Sequence, residues 1–476
     1  MHSLANEVEA GEQGKGLKRH LRAIHLSSIG VGAIIGAGIF VITGQAAAFY
    51  AGPAVLISFI IAAFICVFAG LCYAELASII PISGGAYSYA YVALGEFAAW
   101  LIGWAAIIQY LASSCTVAVG WSGYLISVLN TFGIQISSAF THAPIVYNLE
   151  TGWHLSGSIF NVPAVLLVFF LCAMIAIGIR AAATFNNVMV AVKLITILLF
   201  VVFGIFYINT DNWTPFIPEN TGVFGEFGWS GILRGAGLVF FAYNGFDTVC
   251  TLAQETINPQ KNIPRGMLGA LGISTIAYIA MVLVLTGVVS YTLLGVADPV
   301  SVVLDAMGPR FAWFSLLVKF AILAALSTVV LVQLLGQTRM FFAMSKDGLL
   351  PARFGKIHPT LRTPVFATVV IAIAAVVIAG LFPIDVLGQL VSLSILVIFS
   401  IVCFGVLILR YTQPDIHRPF KVPLVPFIPI AGIVCCVGQM FFLPMTTWVQ
   451  LAVWMLIGLV VYFKFGFKQS KLRARQ

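Results

Sequence analysis

Charge is what this sequence has least of: Asp, Glu, Lys and Arg make up 8% of its 476 residues, while 61% are hydrophobic and mean hydropathy is +1.06. So little polar surface cannot coat a soluble globule, which makes the chain a polytopic membrane protein. Long polar stretches are missing too. A spanning helix takes about 20 apolar residues, and the apolar runs divide into about twelve such spans joined by short connections, leaving no room for a separate soluble domain. The first apolar run lacks a small-residue cleavage site, so it reads as a retained first span and not as a signal peptide. Cysteine is absent from the predicted outer loops. Cys66, Cys72, Cys115, Cys172, Cys250, Cys403, Cys435 and Cys436 all lie in apolar runs, and the loop from Thr131 to Asn161 carries no thiol. That argues against a disulfide-linked accessory subunit and leaves a non-covalent partner or a dimer open. No cysteine and histidine pairs have metal-ligand spacing, and no nucleophile elbow or phosphate loop occurs, so neither an enzyme nor a cofactor is expected.

The scarce charges are unevenly placed. A net charge of +8 would suit nucleic acid, but a cytoplasmic N-terminus puts every Lys and Arg on the inner side except Arg234, Arg310, Lys193 and Lys319. Such a bias fixes both termini in the cytoplasm of an inner or plasma membrane, and nucleic acid is not needed to explain it. Residues 1–23 and 468–476 then form cytoplasmic tails. Glu75, near the inner end of the second span, is expected at the interface or paired, and Lys319, near the outer end of the eighth, to snorkel. The tyrosine-rich stretch Pro81 to Glu96 is too polar to span and should lie along the inner surface, and Asn258 to Gly266 reads as a polar inner loop.

What is present in excess is glycine inside the first span. SIGVGAIIGAGIFVITG, Ser28 to Gly44, carries it at 30, 32, 36, 38 and 44. Glycine tolerates unusual backbone angles and exposes peptide groups, so Gly36, Ala37 and Gly38 mark where the helix can open. An opened helix offers bare N–H groups and a half-helix dipole, an anion site suited to a carboxylate that needs no basic side chain. Gly32 and Gly36 are also a close-packing pair, and on this segment alone both readings stand.

A second interruption favours opening. GLVFFAYNGFDTVCTLAQE, Gly237 to Glu255, places Asn244, Gly245 and Asp247 in the middle of an apolar run. Asparagine and glycine favour non-helical geometry, and a mid-span aspartate needs a partner. Breaks in the first and sixth spans are where two five-helix repeats of opposite topology would put them: 24–208 and 229–412, with two further helices over 413–467. Gln109, Ser113, Ser114 and Thr116 in the third span must face protein or a cavity. Lys193, about two turns inside the fifth span, either snorkels or is placed to gain and lose a proton.

The segments GAIIGAGIFV (32–41), PISGGAYSYAYVALGE (81–96), GWSGYL (120–125), FFAYNGFDTV (240–249), NPQKNIPRG (258–266) and GQTRMFFAMSKDGLLP (336–351) resemble the amino acid, polyamine and organocation transporter superfamily, most of all its cationic amino acid transporter family. The likeness runs from Leu17 to the last span. It implies an all-α, LeuT-like fold of twelve transmembrane helices, a 5+5 inverted repeat plus two, with helices 1 and 6 broken. It also implies that the substrate carboxylate meets the N–H groups of Gly36, Ala37 and Gly38, and that its amino group meets carbonyls of Ile34, Phe241, Ala242 and Asn244. Lys193 matches a lysine that relatives carry where sodium-coupled members bind a cation, which favours proton coupling. Two positions depart from the family pattern. Gln109 stands where relatives have glutamate, and Asn244 where they have an apolar residue, so the counter-charge for a cationic substrate is missing.

The expected activity is import of an L-amino acid coupled to protons by alternating access across the lipid bilayer, with neutral substrates favoured over cationic ones. Exchange of amino acids, or transport of arginine and lysine, is the alternative, and an amino acid sensor a more distant one. Gln109 joins the expected substrate-binding residues, and Lys193 is the expected coupling group.

Overall fold

The computed structural model describes residues 21–80, 85–148, 152–177, 182–361 and 363–469. Seven helical stretches among them are long and apolar enough to cross a membrane: Gly38–Ile79, Glu96–Thr131, Val188–Tyr207, Pro259–Val288, Pro309–Lys346, Ile384–Thr412 and Met445–Gly466. Of four shorter apolar helices, Ala23–Ile34 precedes them in sequence, and Val162–Ile177, Val365–Leu381 and Phe427–Met440 lie between them. The fold is therefore that of a mostly helical, multi-pass membrane protein.

In chain order, α1 (Ala23–Ile34) is followed by α2, an α-turn over Thr43–Ala46 flanked by π-turns over Gly38–Ile42 and Ala47–Ala51, and by α3 (Val55–Ile79). Next come the short α4 (Gly85–Ala93) and the long α5 (Glu96–Thr131). Most of the Pro81–Glu96 stretch is thus helical, and residues 81–84 lie outside those described. The loop after α5 holds an antiparallel pair, β1 (Ile145–Asn148) and β2 (Gly152–Leu155), so the chain departs from the expected all-α class in this one place among the described residues. β-branched and aromatic residues, Ile145, Val146, Tyr147 and Trp153, suit a pleated ribbon, and Trp153 packs edge-on against Phe382.

The second part of the chain contributes α6 (Val162–Ile177), α7 (Ala182–Gly204), α8 (Gly228–Val239) and α9 (Pro259–Val288). The loop expected over Asn258 to Gly266 is therefore helical from Pro259 onward. A proline in the first turn gives up only an N–H that has no partner there. A short α10 (Pro299–Ala306) precedes α11 (Ala312–Lys346), α12 (Val365–Leu381), α13 (Ile384–Thr412), α14 (Phe427–Met440) and α15 (Met445–Val461).

Two groups of helices emerge from the packing. One joins α1, α3, α8 and α9; the other joins α5, α6, α11 and α12. α13 lies against both α5 and α3, and α7 touches both α1 and α11. Buried apolar side chains such as Phe59, Val282 and Leu285 fill the first group, and Val168, Ile371 and Ala375 the second.

Two of the buried charges, Glu75 and Lys319, are ion-paired. Glu75, 1% exposed, accepts from Arg410 Nε (2.9 Å) and Nη2 (2.7 Å) and from the Val422 N–H (2.7 Å). Arg418 stands 3.5 Å away and donates to the Leu409 and Gln413 carbonyls that end α13. Glu75 is thus a structural tie between the C-terminal ends of α3 and α13. Glu75→Gln is expected to weaken the charged hydrogen bonds by about 2 kcal/mol, lowering the apparent Tm in detergent without changing substrate rank order. Lys319 does not snorkel. It is 2% exposed, and its ammonium meets Asp305 at 3.0 and 3.2 Å, because α10 brings that carboxylate over the N-terminal end of α11.

The last helix is held by tryptophans. Trp104 Nε1 donates to the Trp454 carbonyl (2.7 Å) and Trp454 Nε1 to the Trp104 carbonyl (2.8 Å), with the rings stacked at 4.8 Å. Trp100 Nε1 reaches the Gly458 carbonyl at 3.1 Å. This exchange anchors α15 to α5, as the indole N–H needs a partner when buried.

Candidate functional site

Both expected interruptions are present. α1 stops at Ile34 because Ile35 turns to extended backbone (φ −73°, ψ 108°), and helix resumes only at Gly38. After α8 a 3-10 turn over Phe240–Tyr243 leads to Asn244 in extended geometry (ψ 128°), then Gly245 at φ 111°, before a 3-10 segment over Phe246–Glu255. Only glycine adopts the Gly245 angle readily.

The two breaks press on each other. A Cβ at Gly38 would lie 2.3 Å from the Ala242 Cα, and one at Gly245 would lie 2.9 Å from the Ala33 carbonyl. Gly36 is looser, since a Cβ there would stand 3.1 Å from the Val329 side chain of α11, while one at Gly32 would stand 2.2 Å from the Val190 side chain of α7. Opening and close packing therefore coexist in this stretch: Gly32 and Gly38 permit helix approach, and the chain between Ile34 and Gly38 is unwound.

Unwinding leaves backbone groups to be satisfied. No backbone acceptor among the described residues meets the N–H groups of Gly36, Ala37 or Gly38. They form the N-terminus of α2, where the helix dipole favours negative charge. The carbonyls are better served. Tyr278 of α9, fully buried, directs its hydroxyl at the Ile34 carbonyl (3.0 Å) and the Ala242 carbonyl (2.6 Å), tying one break to the other. The Phe241 carbonyl accepts from the Asn244 N–H at 3.0 Å, and the Phe241 N–H donates to Ser392 Oγ of α13 at 3.1 Å. Tyr124 of α5 donates to the Phe40 carbonyl at 2.5 Å. Of the carbonyls expected to receive an ammonium, those of Ile34, Phe241 and Ala242 thus already have protein donors, though each carbonyl oxygen has a second lone pair.

Lys193 of α7 is 2% exposed, enclosed by protein. Its ammonium donates to the Gly32 carbonyl at 3.2 Å. That carbonyl would be met by the Gly36 N–H in an unbroken helix, so the lysine replaces the lost bond and puts a cation at the C-terminal end of α1. The contact lies on the last turn of α1 and not on the Gly36–Gly38 segment itself.

The two positions that depart from the family pattern are partners. Gln109 Nε2 donates to Asn244 Oδ1 at 2.8 Å, and Asn244 Nδ2 donates to Ser113 Oγ at 3.3 Å. An amide on α5 and an amide at the second break thus replace a carboxylate and an apolar group with a neutral pair. Asp247 is half-buried beyond the break, and no ion pair among the described residues involves it. Also among the described residues, no three His, Cys, Asp or Glu side chains converge. The site therefore offers backbone N–H groups, carbonyls and neutral side chains.

Residue reasoning from sequence identified Gly36, Gly38, Asn244, Gln109 and Lys193, and missed Tyr278, Ser392 and Tyr124. The only signal for Ser392 was a hydroxyl within an apolar run. A buried tyrosine at 124 or 278 looks like any core aromatic.

Comparison with known proteins places these features in context. The amino acid permease family profile matches residues 21–462. A methylthioribose transporter of Bacillus subtilis is 42% identical over 465 residues, 98% of this chain and 97% of its own. A branched-chain amino acid permease, BcaP, of the same organism is 40% identical over 471 residues, 99% of this chain and 98% of its own. A vacuolar cationic amino acid transporter 4 of Arabidopsis thaliana is 35% identical over 400 residues, 84% of this chain and 64% of its own.

Proposed function

The chain belongs to the amino acid permease family, and from that premise we propose that it is a secondary transporter that imports L-amino acids, coupled to protons, by alternating access. The observation that carries this reading is the pair of abutting helix breaks with bare N–H groups at Gly36, Ala37 and Gly38. A substrate carboxylate fits those donors, and the substrate ammonium fits the carbonyls of Ile34, Phe241, Ala242 and Asn244, competing with Tyr278 for two of them. Twelve transmembrane helices in a 5+5 inverted repeat, 24–208 and 229–412, with two more over 413–467, would place this site midway across the membrane. The tails 1–23 and 468–476 are then cytoplasmic, at the plasma membrane. In alternating access the α1, α3, α8 and α9 group rocks against the α5, α6, α11 and α12 group, exposing the breaks to one side and then the other.

A neutral substrate is favoured over a cationic one. Gln109 donates to Asn244, and as neutral amides neither supplies the counter-charge that a buried guanidinium or ammonium side chain demands. The two relatives of highest identity given above carry names of neutral cargo, branched-chain amino acids and methylthioribose. The latter favours a second reading, a neutral sugar thioether, which has no carboxylate for the bare N–H groups. A panel in proteoliposomes with and without a proton gradient tests both. Leucine, alanine and threonine should compete at concentrations at least about tenfold below arginine or lysine, as one unmet hydrogen-bonded charge costs more than 1.4 kcal/mol. The opposite ranking would overturn the neutral preference, and competition by methylthioribose alone would favour the second reading. Uptake that needs preloaded substrate and ignores the gradient would mark an exchanger.

A further inference from the structure

We propose that Gln109, Ser113 and Asn244 form a subsite for a hydroxyl on the side chain of a neutral substrate, so that the protein selects hydroxylated amino acids over their aliphatic isosteres. This rests on the reading of the helix breaks as the amino acid site and goes beyond it by naming the group that the adjoining wall recognises.

The three side chains are at most 7% exposed, and they are linked in series, Gln109 to Asn244 to Ser113. Gln109 and Ser113 are four residues apart on α5 and share a face, and Asn244 comes to that face from the second break. Neighbouring hydroxyls are consumed by their own helix. Ser114 donates to the Leu111 carbonyl and Thr116 to the Ala112 carbonyl, and on other helices Thr196, Ser327, Thr328 and Ser394 bond back in the same way. Ser113 does not: its oxygen accepts from Asn244, and its own proton has no acceptor among the described residues. Gln109 uses Nε2 on Asn244, which leaves Oε1 as a free acceptor. The same level of α5 holds another unmet acceptor. Gln337 of α11 donates to the Ile107 carbonyl at 3.4 Å, and its buried Oε1 has no partner among the described residues.

The wall thus presents a spare donor and spare acceptors, with no net charge. A carbonyl can only accept and an ammonium can only donate, so each would meet half of what is offered. A hydroxyl does both. A methyl of the same size would leave the wall's polar atoms desolvated and unpaired. Gln109 and Ser113 flank Asn244, which is two residues along the chain from Ala242 of the second break.

The test uses isosteric pairs on the purified full-length protein: L-threonine against L-valine and L-serine against L-alanine, with Kd read by calorimetry. The wild type should bind threonine about tenfold more tightly than valine, the worth of one net hydrogen bond. That ratio should fall toward one in Gln109→Leu and Asn244→Ile, and fall partway in Ser113→Ala, which removes only one oxygen. A ratio within one protein is not moved by a general loss of folded material, so a destabilised variant still reports. A wild-type ratio of one or below, with amino acids still bound, overturns the hydroxyl subsite alone. A tenfold ratio unchanged in all three variants overturns its assignment to these residues. If no amino acid binds at all, the helix-break reading fails and this proposal falls with it.

Discussion

Gly38→Leu is expected to abolish substrate binding, so that no amino acid protects the variant against heat although it raises the melting temperature of the wild type. A side chain at this position starts 2.3 Å from the Ala242 Cα, so it must drive the two breaks apart and cover the N–H groups of Gly36, Ala37 and Gly38. Overpacking of this kind costs about 1–3 kcal/mol, enough to lower Tm by several degrees in a protein that still folds. Loss of binding far beyond that destabilisation is the signature of a site on these peptide groups. Gly36→Ala should weaken binding less, since its Cβ would meet only the Val329 side chain. Wild-type affinity in a folded Gly38→Leu protein would remove the site from the first break.

Lys193→Ala is expected to eliminate the response of uptake to an imposed proton gradient. The protonated ammonium holds the Gly32 carbonyl at the end of α1; once neutral, it can no longer present a charge to that helix terminus, and α1 is freed to swing. A hydrogen bond to a charged group is worth about 1.5–3 kcal/mol, which biases two conformations by about ten- to hundredfold. Uptake by the variant should therefore fall by at least about tenfold under an inward gradient and should show a flat profile between acid and neutral external pH. Exchange between preloaded vesicles, which needs no net proton movement, should survive in part. A retained pH profile would assign Lys193 to packing between α7 and α1, and uptake that follows sodium instead would point to a cation in the same place.

Much of this site was legible because the bilayer leaves so few reasons for polarity. Five glycines in Ser28 to Gly44, or an Asn-Gly pair inside an apolar run, stand out where every unbroken helix would rather have leucine. Gln109 and Lys193 stood out for the same reason. What did not show was pairing. Nothing near Gln109 in sequence points to Asn244, 135 residues away, and nothing near Lys319 points to Asp305 as its counter-ion. Tyr278 was hidden for a different reason: its function lies in one hydroxyl directed at two carbonyls, and the same residue with that hydroxyl elsewhere would read identically. The β1–β2 ribbon escaped notice because eight residues of ordinary outer loop carry no strong alternation.

The tryptophan exchange between α5 and α15 bears on how the chain is made. Trp104 and Trp454 are 350 residues apart, and each backbone carbonyl accepts from the other's indole N–H. At a synthesis rate of about 5–20 residues per second, roughly 20–70 s separate their emergence from the ribosome. For that interval α5 sits in the membrane with the indoles of Trp100 and Trp104 unmatched, and a chain truncated before α15 never completes them. α15 therefore completes a contact that α5 leaves open, and this part of α5 stays unfinished until α15 has been inserted.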